Sequence, residues 1–173
     1  MTTRVITTKR LVMTPHQLGD YAESAAMQAD AGLMRFLGGL PLTQEASWKR
    51  LLQNAGMWAL LGYGFWVVRE QGSGAFVGEL GFFEGKRTGI EGFDGAVEMG
   101  WVIAPAMHGK GYGTEAVTAA LGWGAGRFSR AVAMIDPANA PSLALARRLG
   151  FHQFGAGRYE DEPVGLWEYF WPG

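Results

Sequence analysis

The spacing of hydrophobic residues changes from helical to strand-like about one third of the way along the chain. From His16 to Asp30, and again from Thr43 to Ala59, apolar and small residues recur at the spacing of one helix face. Thr43 is the predicted N-cap of the second helix, because its hydroxyl can accept a backbone hydrogen bond from the first turn. The Gly-rich segment between them, Gly32–Pro41, is predicted to be a loop.

From Tyr63 onwards, segments rich in aromatic and β-branched residues are separated by glycines, which is typical of strands. The predicted strands are Lys9–Thr14, Tyr63–Glu70, Ala75–Glu84, Gly95–Ala104, Ala131–Ile135, Phe151–Gly155 and Leu166–Trp171, and two further helices are predicted from Thr114 to about Arg127 and over Asn139–Leu149. The order β-α-α-β-β-β-α-β-α-β-β predicts an α/β (α+β mixed) fold. Its central sheet is mixed and mostly antiparallel, with six to seven strands and helices on both faces.

The middle strands are predicted to form an antiparallel meander. If the second and third of them pair around a turn at Gly89–Ile90, Glu79 and Glu98 become diagonal neighbours on one face of the sheet. Two carboxylates so placed would raise the pKa of one of them towards a range useful for proton transfer.

Composition then limits the class of protein. The chain has 173 residues, of which 48% are hydrophobic and 18% charged, so a single folded domain over residues 1–173 is expected. A net charge of −1 gives no electrostatic basis for binding nucleic acid. No apolar run is long enough to span a membrane, and Met1–Met13 lacks the apolar core of a signal peptide, so a cytoplasmic protein is expected.

Cysteine is absent, which excludes disulfides, thiolate metal sites and a cysteine nucleophile. The histidines His16, His108 and His152 are far apart in sequence, so no metal site is expected.

The most informative segment is His108-Gly-Lys-Gly-Tyr-Gly113, which carries three alternate glycines between a predicted strand and a predicted helix. Glycines allow a ligand close to the backbone, and the unpaired N–H groups of a helix N-terminus attract anions. The segment lacks the Gly-Lys-Ser/Thr of a P-loop and the G-x-G-x-x-G of a dinucleotide-binding unit. It therefore predicts an anion site, most often one for phosphate, and a turn that only starts the helix is the alternative.

Four segments in order resemble the GNAT superfamily of acyl-CoA-dependent N-acetyltransferases, and most of all its branch that includes ribosomal-protein N-terminal acetyltransferases. They are Thr8-Lys-Arg-Leu-Val-Met-Thr-Pro15, Phe76-Val-Gly-Glu-Leu-Gly-Phe82, Val97-Glu-Met-Gly-Trp-Val-Ile103 with the glycine loop, and Asn139-Ala-Pro-Ser142 with Leu149-Gly-Phe151. The resemblance implies that an acetyl group passes from acetyl-CoA directly to a primary amine in a ternary complex, without a metal. A protein N-terminus and a small-molecule amine both stay open as acceptor. The alternative is a non-catalytic acyl-CoA-binding or sensing domain.

The resemblance also implies a set of residues that bind acetyl-CoA. They are Trp101, Val102, Ile103, His108, Gly109, Lys110, Gly111, Tyr112, Gly113, Thr114, Asn139 and Ser142. His108 stands where the family usually has Gln or Arg, but the backbone N–H groups of the loop are still available for a pyrophosphate. Lys110 is expected either to add charge near the phosphates or to be a solvated loop residue. The donor to the thioester oxygen is expected to be a backbone N–H near Val102 or Ile103.

The expected chemistry needs a group that removes a proton from the attacking ammonium. Glu98 is the first candidate base and Glu79 the second; the alternative for each is a structural or solvent-facing role. Relatives often place a tyrosine near the leaving thiolate, but the matching position here is Ala146. Ser142 is therefore the candidate hydroxyl, with a simple capping contact as its alternative. By analogy with the superfamily, in which dimers are common, the strand Leu166–Trp171 is a candidate contact in a homodimer.

Overall fold

The computed structural model describes residues 4–172, so residues 1–3 and 173 of the predicted domain lie outside the described residues. The helices are α1 (Tyr21–Gln28), α2 (Ala31–Met34), α3 (Gln44–Leu60), α4 (Tyr112–Gly124) and α5 (Ala140–Arg148). The strands are β1 (Ile6–Thr7), β2 (Leu11–Pro15), β3 (Phe65–Glu70), β4 (Phe76–Phe83), β5 (Val97–Ile103), β6 (Arg130–Ile135), β7 (His152–Tyr159) and β8 (Glu162–Phe170).

The strands form one sheet in the order β1-β2-β3-β4-β5-β6-β8-β7. Every neighbouring pair is antiparallel except β5 and β6, which are parallel. The predicted mixed, mostly antiparallel sheet is therefore confirmed. The predicted six to seven strands were too few, because two-residue β1 adds an eighth strand through the pairing of Ile6 with Met13.

The two faces of the sheet carry different elements. Val97, Met99 and Trp101 of β5 belong to the main apolar core together with the buried face of α4. Glu98 and Val102 point to the other face, because side chains alternate along a strand. On that face α1 packs against β4, and helices therefore cover both sides of the sheet.

The predicted pairing of β4 with β5 was wrong. Glu79 lies opposite Val102, whereas Glu98 lies opposite Phe83. The two carboxylates share a face, but four residues separate them along the strand, which is ~13 Å, so they are not diagonal neighbours. The reason is the connection between the strands: Ile90 and Phe93 are buried in a second apolar cluster, and the segment packs on the sheet instead of forming a tight turn.

Candidate active site

A cleft opens where β5 and β6 separate. The two strands pair only at Val97 with Ala131 and at Glu98 with Val132. Beyond these pairs, a cavity of about 760 Å³ lies among the second half of β5, the start of α4 and the start of α5. The edge of β5 that faces this cavity pairs with no strand.

Every predicted acetyl-CoA residue except Lys110 lines this cleft. The ammonium of Lys110 lies 3.5 Å from the sulfur of Met107, and its backbone carbonyl accepts a hydrogen bond from Arg10. The structure thus brings the loop, the end of β5 and the start of α5 together, and it places the Lys110 side chain outside them.

The N-terminus of α4 is the electrostatic feature of the cleft. Gly111 is the N-cap residue with φ +77°, a left-handed conformation that glycine adopts without steric cost, and no side chain caps the helix. The first-turn N–H groups of this 13-residue helix therefore keep their partial positive charge at the cleft wall. Such an end can bind a phosphate.

Two side chains brace the glycine loop from behind. His108 Nε2 donates to the carbonyl oxygen of Ile103 at 2.7 Å, which ties the loop to β5. Arg10 Nη1 donates to the carbonyl oxygen of Lys110 at 2.9 Å, and Arg10 Nε donates to Glu115 at 2.7 Å. The Arg10 guanidinium also lies 4.6 Å from the ring centre of Tyr112, whose hydroxyl donates to Glu70. Sequence reasoning missed Arg10, since it is 100 residues from the loop and no local pattern marks it.

Of the two backbone N–H groups predicted to donate to the thioester oxygen, those of Val102 and Ile103, only one points into the cleft. The N–H of Ala104 donates to the carbonyl oxygen of Val77 in the neighbouring strand. Because N–H groups alternate sides along a strand, Val102 directs its N–H to β4, and Trp101 and Ile103 direct theirs to the cleft. The N–H of Ile103 therefore remains a candidate donor to the thioester oxygen, and the N–H of Val102 does not.

The start of α5 supplies polar atoms to the opposite wall. Asn139 Oδ1 accepts from the backbone N–H of Ser142 at 3.2 Å and caps the helix. Ser142 Oγ accepts from the indole N–H of Trp101 at 3.3 Å, so the hydroxyl is held at the cleft wall. Ala146 follows Ser142 by one helical turn of α5. It is fully buried in the same apolar core as Trp101.

Neither candidate base lines this cleft. Glu98 is buried beside the last pair of β5 and β6, and it accepts a hydrogen bond from Arg87 Nε at 2.7 Å. It lies at a second cavity of about 520 Å³, whose polar lining includes Tyr63, Glu84 and Asp94. In that cavity, burial and the hydrogen bond to Glu84 raise the pKa of Tyr63 to about 12.

Glu79 is buried beneath α1. It accepts hydrogen bonds from His16 Nε2 at 3.0 Å and from the hydroxyl of Ser24. Burial by itself raises the pKa of Glu79, but the hydrogen bonds from His16 and Ser24 and the charges of His16 and Arg50 outweigh it, so the pKa lies below the usual range. A carboxylate in this setting stays ionised.

The sequence offers the Gly32–Pro41 segment as part of an acceptor pocket, and the first half of that segment lines the cleft. The residues of this part of the chain that line the cleft are Asp30, Gly32, Leu33, Arg35, Phe36 and Leu37. The predicted loop contains helix α2, and its N-cap Asp30 accepts from the N–H of Leu33 at 2.8 Å. Buried Met34 anchors the short helix. The Asp30 cap was a readable signal, but four residues are too few for a helical period.

The family follows from the sequence match. Residues 10–152 match the family model of the acetyltransferase (GNAT) domain. The chain belongs to the GNAT acetyltransferase family. The prediction of a GNAT-type N-acetyltransferase is therefore confirmed, and so is the predicted fold.

Two curated relatives from Bacillus subtilis are themselves uncharacterized. The chain is 31% identical over 111 residues to the uncharacterized protein YkkB of Bacillus subtilis (strain 168), a match that covers 62% of each chain and thus less than two thirds of that relative's length. It is 27% identical to the uncharacterized N-acetyltransferase YnaD of the same organism over 154 residues, 87% of this chain and 84% of the relative.

Solved GNAT structures share the whole fold. A GnaT-family acetyltransferase from Bordetella pertussis is 33% identical, with a TM-score of 0.83 over 96% of this chain and 99% of that one. RimL, the ribosomal L7/L12 α-N-protein acetyltransferase, in complex with coenzyme A, is 20% identical with a TM-score of 0.78, covering 96% and 97%. Spermidine N-acetyltransferase from Vibrio cholerae, in complex with CoA and spermine, is 17% identical with a TM-score of 0.75, covering 94% and 96%. The last two show the GNAT fold alone.

Residues 4–172 contain neither a membrane-spanning helix nor a cluster of metal-ligating side chains. None of their helices is both long and apolar enough to cross a membrane. No group of three or more His, Asp or Glu side chains among them is arranged to hold a metal ion.

Proposed function

We propose that the protein transfers an acetyl group from acetyl-CoA to a primary amine by direct attack in a ternary complex. The observation that carries the proposal is the cleft between β5 and β6, which combines an uncapped helix N-terminus with a free strand edge. The first attracts a pyrophosphate, and the second can pair with the amide groups of a pantetheine arm. Arg148 at the same wall adds a positive charge that suits a further phosphate.

The residues of the cleft suit the steps of acyl transfer. As the amine nitrogen bonds to the carbonyl carbon, the N–H of Ile103 donates to the oxygen that gains negative charge. Ser142 donates a proton to the departing sulfur, since Trp101 holds its hydroxyl at the cleft wall. Glu98 takes the proton of the amine, because its carboxylate lies where β5 and β6 begin to separate. The proton passes through water, because Glu98 does not line the cleft.

Binding is tested first by thermal unfolding with and without acetyl-CoA, since a ligand of the folded state raises the melting temperature. No shift at saturating acetyl-CoA would contradict the proposed co-substrate. Turnover is tested by following free thiol release with panels of peptides and small amines. The two panels decide between a protein N-terminus and a small amine as acceptor.

The proton acceptor is tested with Glu98→Gln. The variant should bind acetyl-CoA as the wild type does, and its turnover should fall about 100-fold or more, the usual contribution of a general base. Glu91→Gln is the matched control, because Glu91 is exposed on the connection that precedes β5. Unchanged turnover in Glu98→Gln would assign proton removal to another group.

A non-catalytic acyl-CoA-binding domain is the second candidate function. The observations that favour it are the two carboxylates outside the cleft lining and Ala146 in the position where relatives often have tyrosine. Acetyl-CoA binding without thiol release on any acceptor would support this function over the first.

The resemblance to the GNAT superfamily also suggests that the protein forms a homodimer. Strand β8 lies between β6 and β7, so its backbone is already paired on both sides. Its contribution to a dimer would come from side chains such as Phe170, which is 54% exposed. The mass in solution, measured by light scattering with Phe170→Ser as comparison, tests this proposal.

A further inference from the structure

A buried polar network joins α1 to the sheet behind the cleft. Its members are His16, Ser24, Gln28, Asn54 and Glu79, and all five are buried. They come from four separate parts of the chain, the residue after β2 and the elements α1, α3 and β4. A charged group without solvent is costly unless it is paired, so this arrangement needs a reason.

His16 and Glu79 form the centre of the network. The nitrogen Nδ1 of His16 lies 3.3 Å from the carbonyl oxygen of Phe65, and Nε2 lies 3.0 Å from Glu79 Oε1. The same Nε2 lies 3.2 Å from the amide nitrogen of Asn54, so both ring nitrogens have polar partners. The hydroxyl of Ser24 donates to the same carboxylate oxygen, and Gln28 Nε2 lies 3.5 Å from the other oxygen. Both oxygens of Glu79 are thus directed to protein groups and away from the cleft.

The position of the network relates it to the cleft. Glu79 is paired with Val102, a cleft residue, across the β4–β5 ladder. On its other side it holds Ser24 and Gln28, which lie in the last two turns of α1. The chain leaves α1 directly into the wall that begins at Asp30, and at the far end of this segment the N–H of Leu42 donates to the carbonyl oxygen of Gln28 at 2.9 Å.

We infer that Glu79 is a positioning residue, which fixes the cleft wall Asp30–Leu37 against β5 through its contacts with Ser24 and Gln28. The carboxylate is the only group of the network that touches both α1 and His16 and also belongs to the strand next to Val102. His16 contacts the carboxylate on its other side, and Asn54, 3.2 Å from His16 Nε2, connects His16 to α3. This role rests on the proposed acetyl transfer and differs from that of the general base considered for Glu79.

Ser24→Ala is the decisive variant, because it removes one of the two contacts of Glu79 with α1 and leaves the contact with His16 intact. The wall belongs to neither α4 nor α5, so the KM for the amine acceptor should rise about fivefold, the equivalent of one lost hydrogen bond. The dissociation constant of acetyl-CoA should change less than about twofold, since the helix N-terminus is untouched. Ser73→Ala is the matched control, a serine on an exposed turn that donates to Glu70.

Hydrogen exchange gives a readout that needs no turnover. Amides of residues 29–42 should exchange faster in Ser24→Ala without substrate, and those of residues 108–124 should not. Unchanged exchange and an unchanged acceptor KM would overturn the inference. So would an equal loss of affinity for both substrates, which indicates general loosening. If the wild type releases no thiol, the proposed function fails, and the exchange data still decide on the anchoring.

Glu79→Gln separates positioning from base catalysis. If Glu79 is the base, this variant loses kcat about 100-fold and the acidic limb of the kcat profile disappears, which would overturn the inference. As a positioning residue, its loss should raise the acceptor KM and keep that limb. Because loss of a buried polar partner of His16 can unfold the protein, the same comparison is made in Ser24→Ala, where a base would keep its full kcat.

Discussion

Gly111 controls the start of α4 at the level of one residue. Its φ of +77° is unfavourable for any residue with a Cβ atom, at a cost of about 1 kcal/mol. We expect Gly111→Ala to weaken acetyl-CoA binding about fivefold, because the backbone must turn away from the geometry that presents the first-turn N–H groups. Calorimetric titration measures the affinity. Gly19→Ala is the control, since a Cβ there meets no atom within 4 Å and φ is not positive; equal affinities of the two variants would contradict the argument.

Two glycines near the end of α4 should respond in opposite ways to alanine. A Cβ at Gly124 would lie 2.4 Å from Trp171 Cζ2 and 3.2 Å from Phe82 Cζ, whereas a Cβ at Gly122 meets nothing within 4 Å. Gly124→Ala should therefore destabilise the fold by about 1–3 kcal/mol through overpacking. Gly122→Ala should stabilise it by up to about 1 kcal/mol through helix propensity. Denaturant unfolding of both variants checks the signs, and the same sign in both would contradict this packing.

At the level of elements, Arg10 connects the turn between β1 and β2 to the glycine loop. We expect Arg10→Ala to raise the KM for acetyl-CoA about three- to tenfold, because the Lys110 carbonyl and the Glu115 carboxylate lose charge-assisted hydrogen bonds. The kcat should change little, since Arg10 lies outside the cleft lining. Steady-state kinetics with Lys9→Ala as control separates these effects. A fall in kcat at constant KM would contradict the bracing role.

What the sequence could predict is local. The order of helices and strands follows from hydrophobic spacing, and the uncapped start of α4 follows from adjacent glycines, so both were readable from neighbouring residues. The pairing of β4 with β5 was not, because it depends on Ile90 and Phe93 packing against the far side of the sheet. The Arg10 contacts and the contacts of Glu79 join residues 51 to 105 positions apart in the chain, and no periodicity marks them.

At the scale of the molecule, the two faces of the sheet are packed by different kinds of contact. On the α4 side an apolar core with several tryptophans fixes the cleft floor. On the α1 side a charged network fixes the cleft wall. Apolar contacts are insensitive to pH, whereas the ionised carboxylates are not, and these lie both on the α1 side (Glu79) and on α4 (Glu115).

Acid unfolding measures what these ionised carboxylates contribute to stability. Glu70, Glu79, Glu84 and Glu115 all have pKa values below the usual range in the folded protein. For Glu115, burial raises the pKa, and hydrogen bonds from Thr8 and Arg10 lower it by more. A group whose folded pKa is lower than its unfolded pKa stabilises the fold above the unfolded value, about 4.3 for glutamate, and this contribution is lost as the pH falls through the folded value.

The free energy of unfolding should therefore be nearly flat from pH 7 to 5 and fall steeply below about pH 4.3. Glu115→Gln should be less stable than the wild type at pH 7. The difference should shrink below about pH 4.3, because the wild type then loses its Arg10–Glu115 ion pair and the variant has none to lose. Denaturant titrations at pH 7, 5, 4 and 3 measure the curve, with exposed Glu91→Gln as control. A difference that stays constant down to pH 3 would show that Glu115 stabilises the fold by packing and not by its charge.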